Sequence, residues 1–196
     1  MSKLSATKRE LILNCANKVF LKQGFEHASM DQVAATAGVS KMTVYRHFVG
    51  KEALFASVVH ALCMKIVDDD LESVMESRPP KEALRVFAQK NQATVFAPQT
   101  IELHRMVISE SRRFPDLGRL FYENGPDATV KLLTRYLESN LDDPHLVIDS
   151  PKETAEMFMT QLRGYEHLRL LFGLSKRPNR RVLERQLEKA LSLLIR

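Results

Sequence analysis

The sequence predicts an all-α protein of about nine helices, with a small helix-turn-helix domain ahead of a larger helical domain. Three observations carry that reading. Apolar residues recur at helical spacing nearly throughout, and strand-like alternation is scarce. Capping pairs and Gly or Pro stops punctuate the chain at helix-length intervals. The charge is also uneven: residues 1–66 hold nine Lys or Arg against four Asp or Glu, whereas residues 67–196 hold twenty of each. A basic segment joined to a neutral one points to a polyanion-binding module attached to something else.

The elements follow in order. Thr7-x-x-Glu10 has capping-box spacing, and Leu11, Ile12, Cys15, Ala16, Val19 and Phe20 then line one helix face up to Gly24. Ser29-x-x-Gln32 opens a short second helix that stops at Gly38, and Ser40 caps a third through about His47. A fourth helix runs from Lys51 to about Glu76, where "SRPP" breaks it. Helix five spans about 80–97 and helix six about 100–112. "FPDLGRLFYENGP" supplies a short helix and a turn, and Pro126 begins helix seven. "LDDPHLVIDSP" reads as a loop, with Ser150, Pro151 and Glu153 starting helix eight, which Gly173 terminates. Helix nine runs from about Pro178 to the end. The expected domains are 1–50 (with the helix-turn-helix at about 30–48), 51–76 as a connecting helix, and 77–196.

Composition narrows the class. A chain of 196 residues, 44% apolar and 27% charged, is ordinary for a globular protein. No apolar run approaches the roughly 20 residues that cross a bilayer, and the N-terminus lacks a signal-peptide core. A cytoplasmic protein with no membrane partner is expected. Cys15 and Cys63 sit in apolar helical patterns without metal-ligand spacing, and read as small buried hydrophobes. The six histidines show no ligand spacing either, so no metal or other cofactor is expected.

The stretch "DQVAATAGVSKMTVYRHFVGK" (31–51) carries the function. Two short helices that cross steeply need small residues at the crossing, which Ala34, Ala35 and Ala37 supply. The bend needs a residue that tolerates positive φ, and Gly38 does so at no steric cost. Val33, Val39, Val44 and Phe48 then share a core with helix one. Such a helix-turn-helix inserts its second helix into the major groove. Lys41, Met42 and Arg46 are placed to reach base edges. Thr43, Tyr45 and His47 suit the flanking phosphates, and Lys51 suits a phosphate at the start of the next helix.

"MDQVAATAGVSKMTVYRHFVGKEALF" resembles the DNA-binding segment of the TetR/AcrR family of bacterial transcriptional regulators, over about residues 8–60. "ISESRRFPDLGRLFYENGP" resembles the C-terminal domain of an AefR-like branch. The resemblance implies a homodimeric, nine-helix repressor of a palindromic operator, nucleoid-associated when bound, with a ligand-responsive C-terminal domain. Ser29 joins the DNA-contacting set on this reading. Gly50 departs from the family, which often has a better N-cap there.

The resemblance further implies that helices eight and nine pair with their twofold mates. Leu183, Leu187, Ala190, Leu191 and Leu194 form a stripe on helix nine, and helix eight carries Phe158, Met159, Leu162, Leu168, Leu171 and Phe172 on more than one face. Burial within one chain is the alternative. A small hydrophobic or amphipathic effector would meet polar residues interrupting apolar faces: Asn91, Glu110 and Glu166, with Phe87, Met106, Phe121, Phe158 and Leu162 beside them. Each fits an ordinary core position as well. Two other functions remain open: an architectural or activator protein without a ligand, and a helical Mg-dependent enzyme using Asp68, Asp69 and Glu72. No P-loop, Gly-x-Ser-x-Gly or His-Glu-x-x-His supports the enzyme.

Overall fold

The computed structural model describes residues 3–63, 71–176 and 178–196. Among these residues it has eleven helices, and the one β pairing is an isolated antiparallel bridge between Leu146 and Ile195. The count exceeds nine for two reasons. The short helix in "FPDLGRLFYENGP" is a full element, and the expected fourth helix carries two described segments on either side of residues 64–70. The contacts divide the chain into two compact units. The first runs to Leu62 and takes up Glu102–Gly125; the second comprises Cys63–Ile101 and Pro126–Arg196.

The first unit holds α1 (Lys3–His27), α2 (Met30–Ala37), α3 (Lys41–His47), α4 (Lys51–Cys63), most of α7 (Pro98–Glu110) and α8 (Pro115–Asn124). α1 is already helical at Lys3, so Thr7 stands inside it and not at its N-cap. Its apolar face packs as the periodicity requires: Ile12, Cys15, Ala16, Val19 and Phe20 are buried, though Leu11 turns outward. Gly24 breaks the helical geometry (φ 77°, ψ 167°), and a Cβ there would lie 2.7 Å from Oε1 of Glu110. Just beyond the break Phe25 meets Phe20, Phe55 and Phe114 at ring-centroid distances of 5.5–5.9 Å. Glu26 pairs with Arg113.

The second unit holds α5 (Leu71–Glu76), α6 (Pro80–Val95), α9 (Pro126–Glu138), α10 (Pro151–Leu171) and α11 (Arg180–Leu194). Its main core joins Leu84 and Phe87 of α6, Leu133 of α9, Phe158 and Leu162 of α10, and Leu187, Leu191 and Leu194 of α11. The helix-nine stripe is therefore covered inside its own unit, and most of it is not free to meet a second chain. Ser150 makes no side-chain cap. Pro151 at the first helical position has already removed one of the unpaired N–H groups and set the backbone for the helix. α11 begins on a cap the sequence reading missed: Asn179 Oδ1 accepts from the N–H groups of Arg181 and Val182 at 3.1 and 3.3 Å. Val147 N–H donates to Leu194 O at 2.8 Å and Arg196 N–H to His145 O at 3.0 Å, which ties the chain end to the preceding loop.

Candidate nucleic-acid interface

The local sequence builds this site with little help from elsewhere. Ser29 Oγ accepts from Gln32 N–H at 3.2 Å, and Gln32 Oε1 accepts in return from Ser29 N–H at 2.8 Å, so the capping box is complete. At the other end of α2, Gly38 sits in the left-handed region (φ 64°, ψ 32°). Its N–H donates to Ala35 O, while Val39 N–H reaches back to Ala34 O. That double bond pattern closes the helix and turns the chain within two residues. Ser40 Oγ then accepts from Thr43 N–H at 3.2 Å and starts α3. Ala34 and Ala37 are buried at the crossing; Ala35 faces solvent.

α3 presents two contrasting faces. Val44 and Phe48 are buried on one side, as is Val33 of α2, and Val39 is half-buried. The other side carries Lys41, Met42, Tyr45 and Arg46, all exposed. Met42 is 78% exposed and Tyr45 44%, and Val49 beyond the helix is 90% exposed. Large apolar side chains held in water on a cationic face need a partner surface to justify them. Arg46 pairs with no carboxylate among the described residues. Lys41 Nζ lies 2.8 Å from Asp31 Oδ1 and 5.9 Å from the Tyr45 ring centroid. The hydrogen bond to Asp31, with that carboxylate's charge, raises the Lys41 pKa and keeps the ammonium charged.

Three of the expected DNA contacts have partners or surroundings that the sequence did not reveal. Thr43 Oγ1 shares a hydrogen bond with Ser40 Oγ at 2.8 Å. His47 is half-buried, and its Nε2 is enclosed without a hydrogen-bond partner. Lys51 is turned onto its own chain: Nζ donates to Phe25 O at 2.8 Å and Glu26 O at 2.9 Å, over the Phe25 ring at 4.6 Å. It closes the C-terminal end of α1, a role no local motif announces because its partners lie 25 residues or more away. Asp31, the carboxylate beside Lys41, was also missed; its signal was an acid in the first turn of α2.

The residues expected to meet an effector are shared between the units. Phe87, Asn91, Phe158, Leu162 and Glu166 are buried in the second unit, with Phe87 and Phe158 at 6.4 Å between ring centroids. Glu166 is already engaged: Oε1 accepts from Asn179 N–H at 2.8 Å. Met106, Glu110 and Phe121 belong to the first unit, where Phe121 stands edge-on to His104 at 4.9 Å and Glu110 lies against Gly24. Of the residues expected at a dimer interface, Phe158, Leu187, Leu191 and Leu194 are buried in the chain's own core, Leu171 and Leu183 are half-buried, and Leu168 is 44% exposed. Asp68 and Asp69 lie outside the described residues, and Glu72 falls in α5. Among the described residues no helix is long and apolar enough to cross a membrane.

The family model for bacterial regulatory proteins of the tetR family matches residues 12–58, and that for the AefR-like transcriptional repressor C-terminal domain matches residues 82–196. The chain belongs to the TetR family of transcriptional regulators, with an AefR-like C-terminal domain. A TetR-family regulator from Mesorhizobium loti has a similar structure, with a TM-score of 0.78, 26% identity and full coverage of both chains. The flavonoid-responsive regulator FrrA is 35% identical, covering 97% of this chain and 98% of that one, with a TM-score of 0.68. The regulator BetI of Rhizobium meliloti is 27% identical over 139 residues, which span 70% of this chain but 64% of BetI.

Proposed function

We propose that this regulator represses transcription as a homodimer on a palindromic operator and leaves it on binding a small amphipathic effector. The observation that carries the reading is the outward face of α3, where Lys41, Met42, Tyr45 and Arg46 stand exposed over a rigidly pinned Val44 and Phe48. Arg46 and Lys41 supply hydrogen-bond donors for base edges, and Met42 supplies an apolar surface for a thymine methyl. Ser29, Thr43, Tyr45 and His47 make up the remainder of the DNA-contacting set. Two copies reading major grooves about 34 Å apart would turn two weak contacts into one strong one.

Dimerisation is proposed on the outer side of α10 and the turn that follows it. Met157, Tyr165, Leu168 and Phe172 are 58%, 83%, 44% and 75% exposed. So much bare apolar surface on neighbouring turns of a helix favours a covering partner. For the effector, the 35% identity to a flavonoid-responsive regulator across nearly the whole chain favours an aromatic, hydroxylated molecule.

Genome-wide mapping of bound sites, followed by operator titration, tests the reading. Arg46→Ala should cost about 1–3 kcal/mol at the operator and relax preference at one base position. Loss of affinity that is the same on every sequence would remove Arg46 from the base-reading set.

A further inference from the structure

Polar groups in the second unit are largely partnered, and α6 carries the clearest exception. Asn91 is 1% exposed, yet neither Oδ1 nor Nδ2 has a hydrogen-bond partner among the described residues. Its neighbour Gln92 shows that an amide in this layer can be satisfied: Nε2 donates to Leu183 O at 3.0 Å and to Leu162 O at 3.4 Å. Asn91 lies one helical turn after Phe87, which belongs to the main core, and one turn before Val95. Val95 belongs to a second, smaller cluster with Phe96, Ile101 and Leu170. Thr100, next to Ile101, is also buried with its Oγ1 unpaired. Asn91 thus stands between the two clusters along α6, and Thr100 is a second buried polar group left without a partner, next in sequence to a member of the smaller one. Such groups are costly to bury and native proteins rarely leave them without partners.

The chemistry of a partner follows from the charges nearby. Glu166 is the only charged residue among the buried ones described in this unit, and Asn179 N–H and Arg169 already attend it. His167 stands edge-on to Phe96 at 5.9 Å; burial, with Arg163 adding to it, lowers its pKa to about 4 and keeps the ring neutral. An ionised ligand would lose its hydration here, and the charged groups beside the cluster, Glu166 and Arg163, both already have partners. An uncharged one loses little.

We infer that Asn91 and Thr100 anchor an uncharged amphipathic ligand, an apolar ring system bearing a group that both donates and accepts a hydrogen bond, such as a hydroxyl. The inference rests on the effector-responsive reading above and names the ligand's charge and its polar anchors. Asn91 supplies one acceptor and two donors, and Thr100 supplies a rotatable hydroxyl, so a hydroxyl of either orientation is matched.

Naphthalene, 2-naphthol and 2-naphthoate share one ring system and differ in a single group, which near neutral pH is absent, an uncharged hydroxyl or an anion. Titrated into the full-length protein, 2-naphthol is expected to bind about tenfold more tightly than either of the others. Asn91→Leu should erase its advantage over naphthalene and leave naphthalene's own affinity unchanged; Asn91→Ala repeats the test without adding bulk. A preference for 2-naphthoate, or a 2-naphthol advantage that survives both substitutions, would overturn the inference. Binding of none of the three would overturn it too, and leave water as the amide's partner. Operator titration on the same samples separates the two readings: a protein that binds its operator but fails the naphthol test loses only the anchor, whereas one that binds no operator loses the repressor reading.

Discussion

Lys51 shows how one side chain's role is settled by residues far from it in sequence. Its ammonium closes the carbonyls of Phe25 and Glu26 and lies over the Phe25 ring. Lys51→Ala is therefore expected to lower stability by about 1.5–3 kcal/mol, the range for hydrogen bonds to a charged group. The slope of log affinity against log salt should stay as it is; a slope reduced by about one would show that the ammonium meets a phosphate in the complex. His167 gives a second test at this scale. Its pKa falls from the ordinary 6.5 to about 4 in the folded chain because burial disfavours the imidazolium, with Arg163 adding repulsion. Between those values the unfolded chain binds more protons, so the contribution to stability is present above pH 6.5 and is lost as the pH falls toward 4. Urea denaturation should show about 1 kcal/mol less stability near pH 5 than at neutrality, after allowance for solvent screening of a half-buried ring. His167→Phe should remove that part of the pH dependence.

Among the elements, α10 departs furthest from the expected pattern. Gly164 interrupts it at φ 48° and ψ −162°, a region open essentially to glycine alone, and a Cβ there would stand 2.2 Å from Nε2 of Gln186. The backbone excludes a side chain, and the end of the Gln186 side chain would also have to move aside for one. Gly164→Ala is expected to cost at least about 1–3 kcal/mol from the backbone alone. Adding Gln186→Ala should recover the steric part and leave the backbone part. Full recovery in the double variant would mean that α10 straightens on substitution. A single glycine inside a helical pattern usually signals nothing, and no motif near this one announces the break. Gly38 is the opposite case, because its reason lies within three residues of it.

For the whole molecule, the apolar stripe of α11 separates folding from assembly. Leu187, Leu191 and Leu194 are 1–3% exposed in the chain by itself. Leu187→Glu is expected to abolish cooperative unfolding of the second unit, because an unpaired carboxylate would be sealed into the core. Leu168→Glu with Phe172→Glu, on the exposed side, should leave the helical content intact and shift sedimentation from dimer to monomer. Operator affinity should then fall by orders of magnitude, since each half-site alone makes few contacts. A double variant that still sediments as a dimer would place the interface elsewhere.

The helix-turn-helix was legible because everything that shapes it is local. Ser29 and Gln32, Gly38 and Val39, Ser40 and Thr43 satisfy each other's backbone groups within a few residues, so the motif can be read directly from the string. The all-α class was legible for a similar reason, since apolar residues recur at helical spacing along the chain and Gly or Pro residues punctuate it. Periodicity also showed which side of α11 is apolar, but an apolar face does not say what covers it. That was decided by packing against α6, α9 and α10. The engagement of Lys51 and Glu166 and the isolation of Asn91 are likewise tertiary facts. Each depends on a group brought close by folding, and hydrogen bonds and steric limits are set by distance in space, which the order of residues records only for near neighbours.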